Sequence, residues 1–106
     1  MSNLLINHNG APPEGYDVTG TGTKIVDKTT TKFCKQITIT NASDSPVYLA
    51  EWSNDDDSCP AVVGKGIYLG ALGGAYECNN INMCFNDIWA IYDGTSTKRV
   101  CVQRGF

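Results

Sequence analysis

Alternation of apolar and polar residues predicts short β-strands along much of the chain. Ile37 and Ile39 alternate with amide and hydroxyl side chains, which places apolar groups on one face of an extended segment and polar groups on the other. The same two-residue period recurs in 99–104, where Val100 and Val102 alternate with polar residues and a cysteine. Both segments therefore predict half-buried strands.

Two hairpins are predicted from the turn residues between such strands. The first covers 34–52, where the sequence Asn-Ala-Ser-Asp-Ser-Pro over 41–46 separates two strands. The second joins the apolar strand 88–92 to the strand 99–104, through a loop that begins with Asp93 and Gly94.

The remaining elements extend this β pattern. Residues 24–28 predict another short strand, and the many glycines in 66–77 favour bends between short strands over a helix. No stretch of the sequence has apolar residues at a convincing helical spacing. Six to eight short strands predict an all-β fold, a small antiparallel β-sandwich or jelly-roll-like barrel.

Residues 1–23 are predicted to form an extended N-terminal arm, followed by a β-sandwich domain over 24–106. The arm is rich in Gly, Pro, Asn and Thr and lacks an apolar period. It is either a mobile tail or a strap that becomes ordered on a neighbouring subunit. In the second case its apolar anchors are Leu4, Leu5, Ile6 and Tyr16.

Length and charge narrow the class of protein. A chain of 106 residues provides one domain with one modest core. The net charge of -3 disfavours a nucleic-acid partner, which requires clustered basic residues. No apolar run approaches the roughly 20 residues of a membrane-spanning helix. The first residues lack the features of a secretory signal, so we expect folding in a cytoplasm.

Candidate chemistry is sparse. The only histidine, His8, lies in the predicted arm, so a nucleophile would have no positioned base, and we expect no enzyme activity. No Cys-x-x-Cys occurs, which leaves a zinc site poorly supported. The acids Asp55, Asp56 and Asp57 lack calcium-loop spacing and are expected to be solvated. We predict no cofactor or metal. The chain has five cysteines, and their spacing alone does not reveal which of them pair in disulfides: Cys34, Cys59, Cys78, Cys84 and Cys101.

Three segments resemble a group of small structural proteins of tailed bacteriophages. The resemblance is carried by the sequence from Cys34 to Asn41 with Val47-Tyr-Leu, by the glycine-rich run 66–77, and by 87–102. It implies a non-enzymatic β-sandwich that decorates or cements a capsid, or serves a tail or fibre, usually as a symmetric oligomer. The chain departs from the pattern in its inserted acidic loop, in its many cysteines and in Ala-Glu-Trp after the second predicted strand.

The resemblance leads to a specific functional hypothesis. We expect a virion protein, made in the host cytoplasm, that binds the major capsid protein or other virion proteins and forms a homo-oligomer, plausibly a trimer. Nucleic acid and membrane are not expected partners. Aromatic candidates for inter-subunit contact are Trp52, Tyr68, Tyr76 and Trp89. The alternatives are a tail or fibre module that binds a receptor or glycan, and a secreted disulfide-stapled protein.

Overall fold

Eight β-strands in the described part of the chain form two antiparallel sheets, which confirms the expected all-β class. The computed structural model describes residues 12–31, 34–79 and 85–106. The strands are, in chain order, β1 (Glu14–Val18), β2 (Thr23–Val26), β3 (Gln36–Asn41), β4 (Val47–Glu51), β5 (Ile67–Leu69), β6 (Ala75–Cys78), β7 (Ile88–Ile91) and β8 (Lys98–Gly105). A four-residue helical turn, α1 (Lys28–Thr31), follows β2. Within these ranges no helix has the length and apolar character needed to cross a bilayer.

The strand order is that of a jelly roll. Sheet A has the order β1-β8-β3-β6, and sheet B has the order β2-β7-β4-β5. All paired strands are antiparallel. Because the chain changes sheet at every connection except that between β4 and β5, the topology matches the two interlocked Greek keys of an eight-stranded jelly roll.

This topology shows that both hairpin predictions are wrong. The strands β3 and β4 lie in different sheets, where β3 pairs with β6 and β8 while β4 pairs with β5 and β7. The strands β7 and β8 are likewise separated. The predicted turns exist, but they carry the chain from one sheet to the other.

The side chain of Asn41 explains the first of these crossings. Asn41 is fully buried, and its Nδ2 donates to the carbonyl oxygens of Ser45 (2.8 Å), Leu69 (3.1 Å) and Gly70 (3.2 Å). Its Oδ1 accepts from the backbone N and Oγ of Ser43, at 2.9 and 2.7 Å. One amide therefore fixes the turn after β3 and ties it to the end of β5 in the other sheet, which makes a return within sheet A unfavourable.

The hydrophobic core fills the space between the sheets, and its side chains follow the predicted two-residue period. Ile37 and Ile39 of β3 and Val100 and Val102 of β8 all point inward. Burial of each such side chain stabilises the fold by roughly 1.5–3 kcal/mol. Sheet B contributes the facing residues, chiefly Ile25, Val26, Val47, Leu49, Leu69, Ile88 and Ala90.

The N-terminal boundary of the sandwich differs from the prediction. The strand β1, within the predicted arm, pairs with β8 over its full length and places Val18 in the core. Tyr16 packs partly buried against the same core. Within the described residues the sandwich therefore begins at Glu14. The anchors Leu4, Leu5 and Ile6 lie outside the described residues.

Candidate functional site

The lateral edges of the sandwich differ between the two sheets. In the described structure, β1 and β6 border sheet A, while β2 and β5 border sheet B. The strand β2 has an irregular register between Lys24 and Val26, and β5 has three residues, features that hinder pairing with another chain. The strands β1 and β6 pair with their neighbours in regular register. Sheet A therefore offers the better edges for added strands.

Two of the predicted contact aromatics are exposed on the sheet B side of the molecule. Tyr68 on β5 is 59% exposed, and its ring lies 5.6 Å from that of Tyr48 on β4, at 59° between planes. Trp52 directly follows β4 and is 58% exposed. Its indole Nε1 donates to Oδ1 of Asn54 at 3.0 Å, which orients the ring. These two side chains are available for contact with another molecule.

Tyr76 has an internal role. It packs against the core, and its hydroxyl donates to the carboxylate of Glu51 across the gap between the sheets. The thiol of Cys78 donates to the same carboxylate oxygen at 3.7 Å. Burial, followed by the bond to Glu51, raises the pKa of Tyr76 well above its usual value. Tyr76 thus ties the two sheets together.

Trp89 lies beneath a cluster of charges on the outer face of sheet B. The Lys24 ammonium sits 5.5 Å from its ring centroid, in cation–π geometry. The same ammonium is 2.7 Å from Asp57 and 3.6 Å from both Asp27 and Asp87. Its bond to Asp57 is the main reason why the pKa of Lys24 is raised. Trp89 is therefore partly covered by residues of its own chain.

Two acids of the loop that was considered for calcium, Asp56 and Asp57, have partners in their own chain. Asp57 faces Lys24, and Asp56 accepts from the Ser58 hydroxyl at 2.6 Å and from its backbone N at 3.1 Å. These bonds lower the pKa of Asp56. The described residues contain no group of three side chains suited to hold a metal ion. A lysine thus occupies the position between acids that a cation would take.

A half-buried arginine joins the edge strand β1 to its neighbour β8 in sheet A. Arg104 points from β8 toward β1, forms an ion pair with Glu14 and lies 3.4 Å from the Tyr16 hydroxyl. The Arg104 bond is the main reason why the pKa of Glu14 is lowered. These contacts hold the edge strand β1 against β8.

The cysteines occupy three kinds of environment. Cys34 and Cys78 are buried, and burial raises the pKa of the Cys34 thiol. Cys101 is half-buried on the outer face of sheet A. Cys59 is also half-buried and packs so closely on Gly22 that any side chain there would collide with its sulfur. Cys84 lies outside the described residues.

Leu72 is an exposed residue that the sequence interpretation missed. It is 81% exposed at the tip of the β5–β6 turn, and its φ is 58°. This left-handed conformation costs an ordinary L-residue about 1–2 kcal/mol. Its backbone N nevertheless donates to the Ser43 carbonyl at 2.8 Å, and the next residue, Gly73, donates to Asn41 at 2.8 Å. A leucine between glycines in a turn was the available signal.

Other exposed apolar side chains lie at the end of the sandwich opposite to Leu72. We call the end formed by 19–22, 42–46, 70–74 and 92–97 the leucine end, because Leu72 projects there. The other end, where β4 and β8 finish and β7 begins, carries exposed aromatic side chains, and we call it the aromatic end. Its aromatic residues are Trp52, Phe85 and Phe106.

Comparisons with known proteins agree with the architecture. The sequence matches no protein-family model and no curated protein. The fold is similar to a solved structure described as "Bacillus endospore appendages form a novel family of disulfide-linked pili". The TM-score is 0.52 over 94% of this chain and 89% of the other, with 8% sequence identity. At that identity the similarity concerns the fold alone.

Proposed function

We propose that this chain is a non-enzymatic structural subunit that binds other protein subunits through the edges of sheet A. The observation that carries the proposal is the contrast between the regular edge strands β1 and β6 and the interrupted or very short edges of sheet B. Natural sheets generally protect their edges, so two edge strands in regular register on one sheet favour a role in assembly.

Strand direction makes such an assembly geometrically simple. Sheet A has four strands that alternate in direction, so β1 and β6 run antiparallel to one another. A second copy in the same orientation would bring its β1 beside the β6 of the first copy with antiparallel polarity. Heterologous pairing of this kind gives a ring where the rotation closes and an open array where it does not.

The preferred setting is the one implied by the resemblance to bacteriophage structural proteins, a capsid decoration or cement protein. In this setting the major capsid protein is the partner, and Leu4, Leu5 and Ile6 anchor the N-terminal segment on a neighbouring subunit. That segment directly precedes the edge strand β1 in the sequence, which supports a combined arm-and-edge contact. Several weak contacts of this kind add up in a symmetric assembly.

A second setting is a self-assembling filament. The structural similarity to a subunit of disulfide-linked pili favours it, since the two chains share a fold over nearly their whole length. The half-buried thiols of Cys59 and Cys101 are the ones within the described residues that a covalent link between subunits could reach most readily. Both settings use the edge contact. The partner is the major capsid protein in the first setting and another copy of this chain in the second.

A charge on the β6 edge tests the shared contact. We expect Ala75→Lys to reduce oligomerisation and binding to purified capsid shells at least tenfold, since a lysine opposes strand addition. Thr38→Lys is the control, because it places the same charge on the central strand β3 of the same sheet. Light scattering after size exclusion and co-sedimentation with shells are the measurements. Wild-type behaviour of the Ala75 variant would refute the edge contact.

The same assay separates the two settings. Binding to shells by a wild-type chain that remains small in isolation supports the capsid role. Growth of the isolated chain into long particles, with loss of free thiol, supports the filament.

A further inference from the structure

We infer that the outer face of sheet B binds a neutral glycan, whose sugar rings stack on aromatic side chains of this face. The binding surface, which we call the aromatic strip, consists of Tyr48, Trp52 and Tyr68 with the small residues Ala50 and Gly66 between them. This binding function is separate from the proposed assembly contact, which uses the edges of sheet A.

Alternation along β4 places Tyr48 and Trp52 on the same, outer face of sheet B. The residues between them that point inward are Leu49, which is fully buried, and Glu51, which binds a tyrosine of sheet A across the gap between the sheets. The Trp52 backbone N donates to the Asp87 carbonyl at 3.1 Å, so the ladder with β7 continues to this residue. The Cα atoms of Tyr48 and Trp52 are therefore about 13 Å apart along the strand.

Register with β5 adds Tyr68 to this surface. Tyr68 lies directly opposite Tyr48, and their ring centroids are 5.6 Å apart. Between this pair and Trp52 lie Ala50 and Gly66, and the backbone of Gly66 packs against that of β4. The strip thus has aromatic side chains at both ends and small residues at its centre. An extended oligosaccharide fits such a surface, because its flat rings lie on the aromatic rings while the chain crosses the small residues.

The side chains of the strip provide both kinds of contact that a sugar needs. The C–H groups of a sugar ring pack on aromatic faces, and its hydroxyl groups require hydrogen-bond partners. Trp52 and Tyr68 are exposed, and the hydroxyls of Tyr48 and Tyr68 have no hydrogen-bond partner within residues 12–31, 34–79 and 85–106. On the outer face of sheet A, in contrast, β3 and β8 present mainly hydroxyl, amide and guanidinium side chains.

Trp52 is oriented before any ligand binds. Its indole Nε1 donates to Oδ1 of Asn54 at 3.0 Å, and Nδ2 of Asn54 donates to the Ser58 carbonyl at 3.2 Å. The ion pair between Asp57 and Lys24, at 2.7 Å, fastens the same loop to β2. The indole ring therefore loses little conformational freedom on binding, which favours affinity.

Charge selects an uncharged ligand. The five residues of the strip are all uncharged, and the loop that follows Trp52 contains three successive acids. One of these, Asp55, is exposed and has no partner among the described residues. With a net charge of -3, the chain repels nucleic acid, acidic glycans and anionic membranes. The Asp55 carboxylate still accepts hydrogen bonds from sugar hydroxyls.

Affinity electrophoresis in gels that contain soluble polysaccharides tests the binding. The probes are hydroxyethyl cellulose, galactomannan and dextran as neutral polymers, and alginate as an anionic polymer. We expect at least one neutral polymer to retard the wild-type chain equally at low and high salt, because no ion pair is formed. Retardation by none of the neutral polymers, or by alginate alone, would overturn the inference.

Two substitutions at one position distinguish ring stacking from general apolar contact. Trp52→Leu should weaken binding to the retarding polymer at least tenfold, whereas Trp52→Phe, which keeps an aromatic ring, should weaken it only about two- to threefold. Tyr68→Leu should behave like Trp52→Leu. Phe106→Ala is the control, because it removes a partly exposed aromatic side chain that follows β8 of sheet A. Thermal unfolding checks that each variant is folded.

Equal binding by Trp52→Leu and Trp52→Phe would show that stacking is not the basis of the contact. Equal weakening by Phe106→Ala would indicate general surface stickiness. Either result would overturn the inference.

The Ala75→Lys variant separates glycan binding from assembly. Titration of tryptophan fluorescence with a hexasaccharide cut from the retarding polymer measures single sites, so that avidity does not contribute. Ala75→Lys should bind this hexasaccharide like the wild type, and Trp52→Leu should assemble like the wild type. Loss of assembly in Trp52→Leu would identify the strip as a protein interface and overturn the inference. Unchanged assembly of Ala75→Lys, with glycan binding retained, would refute the sheet A contact alone.

Discussion

Replacement of Asn41 is expected to cause the largest loss of stability of any single polar substitution in the described structure. The amide nitrogen has two hydrogens, so it makes two full bonds among its three carbonyl acceptors, and Oδ1 accepts two more. Four bonds of this buried side chain at about 1 kcal/mol each, with carbonyls left unsatisfied, predict a loss of about 3–5 kcal/mol for Asn41→Ala. This is a large part of the roughly 5–15 kcal/mol that stabilises a small domain.

Two variants separate the hydrogen bonds from the cavity. Asn41→Asp keeps the side-chain volume but turns an oxygen toward the carbonyls of Leu69 and Gly70, so it should be at least as damaging as Asn41→Ala. Asn54→Ala is the control, because Asn54 makes side-chain bonds at the surface, and its loss should stay within about 1 kcal/mol. Urea unfolding at neutral pH gives the free energies, and melting should fall by about 15–30 °C for the Asn41 variants. An Asn41→Asp chain within about 1 kcal/mol of wild type would refute the reasoning.

Three further predictions concern charged groups. Lys24→Met leaves the buried carboxylate of Asp87 without its nearby ammonium group. Urea unfolding should therefore show a free energy of unfolding lower by about 1–3 kcal/mol, and no measurable decrease would contradict the electrostatic role of Lys24. Arg104 lowers the pKa of Glu14 below 4.5, so their stabilising interaction is complete above that pH and is lost as the pH falls further. In the Arg104→Met variant, the free energy of unfolding should therefore fall less steeply as the pH is lowered. An unchanged slope would argue against a stabilising Arg104–Glu14 ion pair. Millimolar calcium should leave the melting temperature unchanged, because Lys24 already pairs with Asp57 and Ser58 already binds Asp56; a rise would reveal a cation site.

The sequence predicts the strands better than their pairing, for a physical reason. The two-residue period identifies which side chains of β3 and β8 face the core, because it depends on local geometry. Pairing depends on where each turn directs the chain. The polar residues after β3 suit a hairpin and a crossing between sheets equally well. The difference lies in Asn41, whose acceptors at the end of β5 are distant in sequence.

The interaction surfaces are less predictable than the core. Aromatic character alone does not separate Trp52, which is exposed, from Tyr76, which binds a carboxylate between the sheets. The strand β1 escaped detection because its inward face has only two core-packing residues, Tyr16 and Val18, and a glycine directly precedes them. Leu72 escaped because its significance lies in its φ value, and a sequence does not state φ.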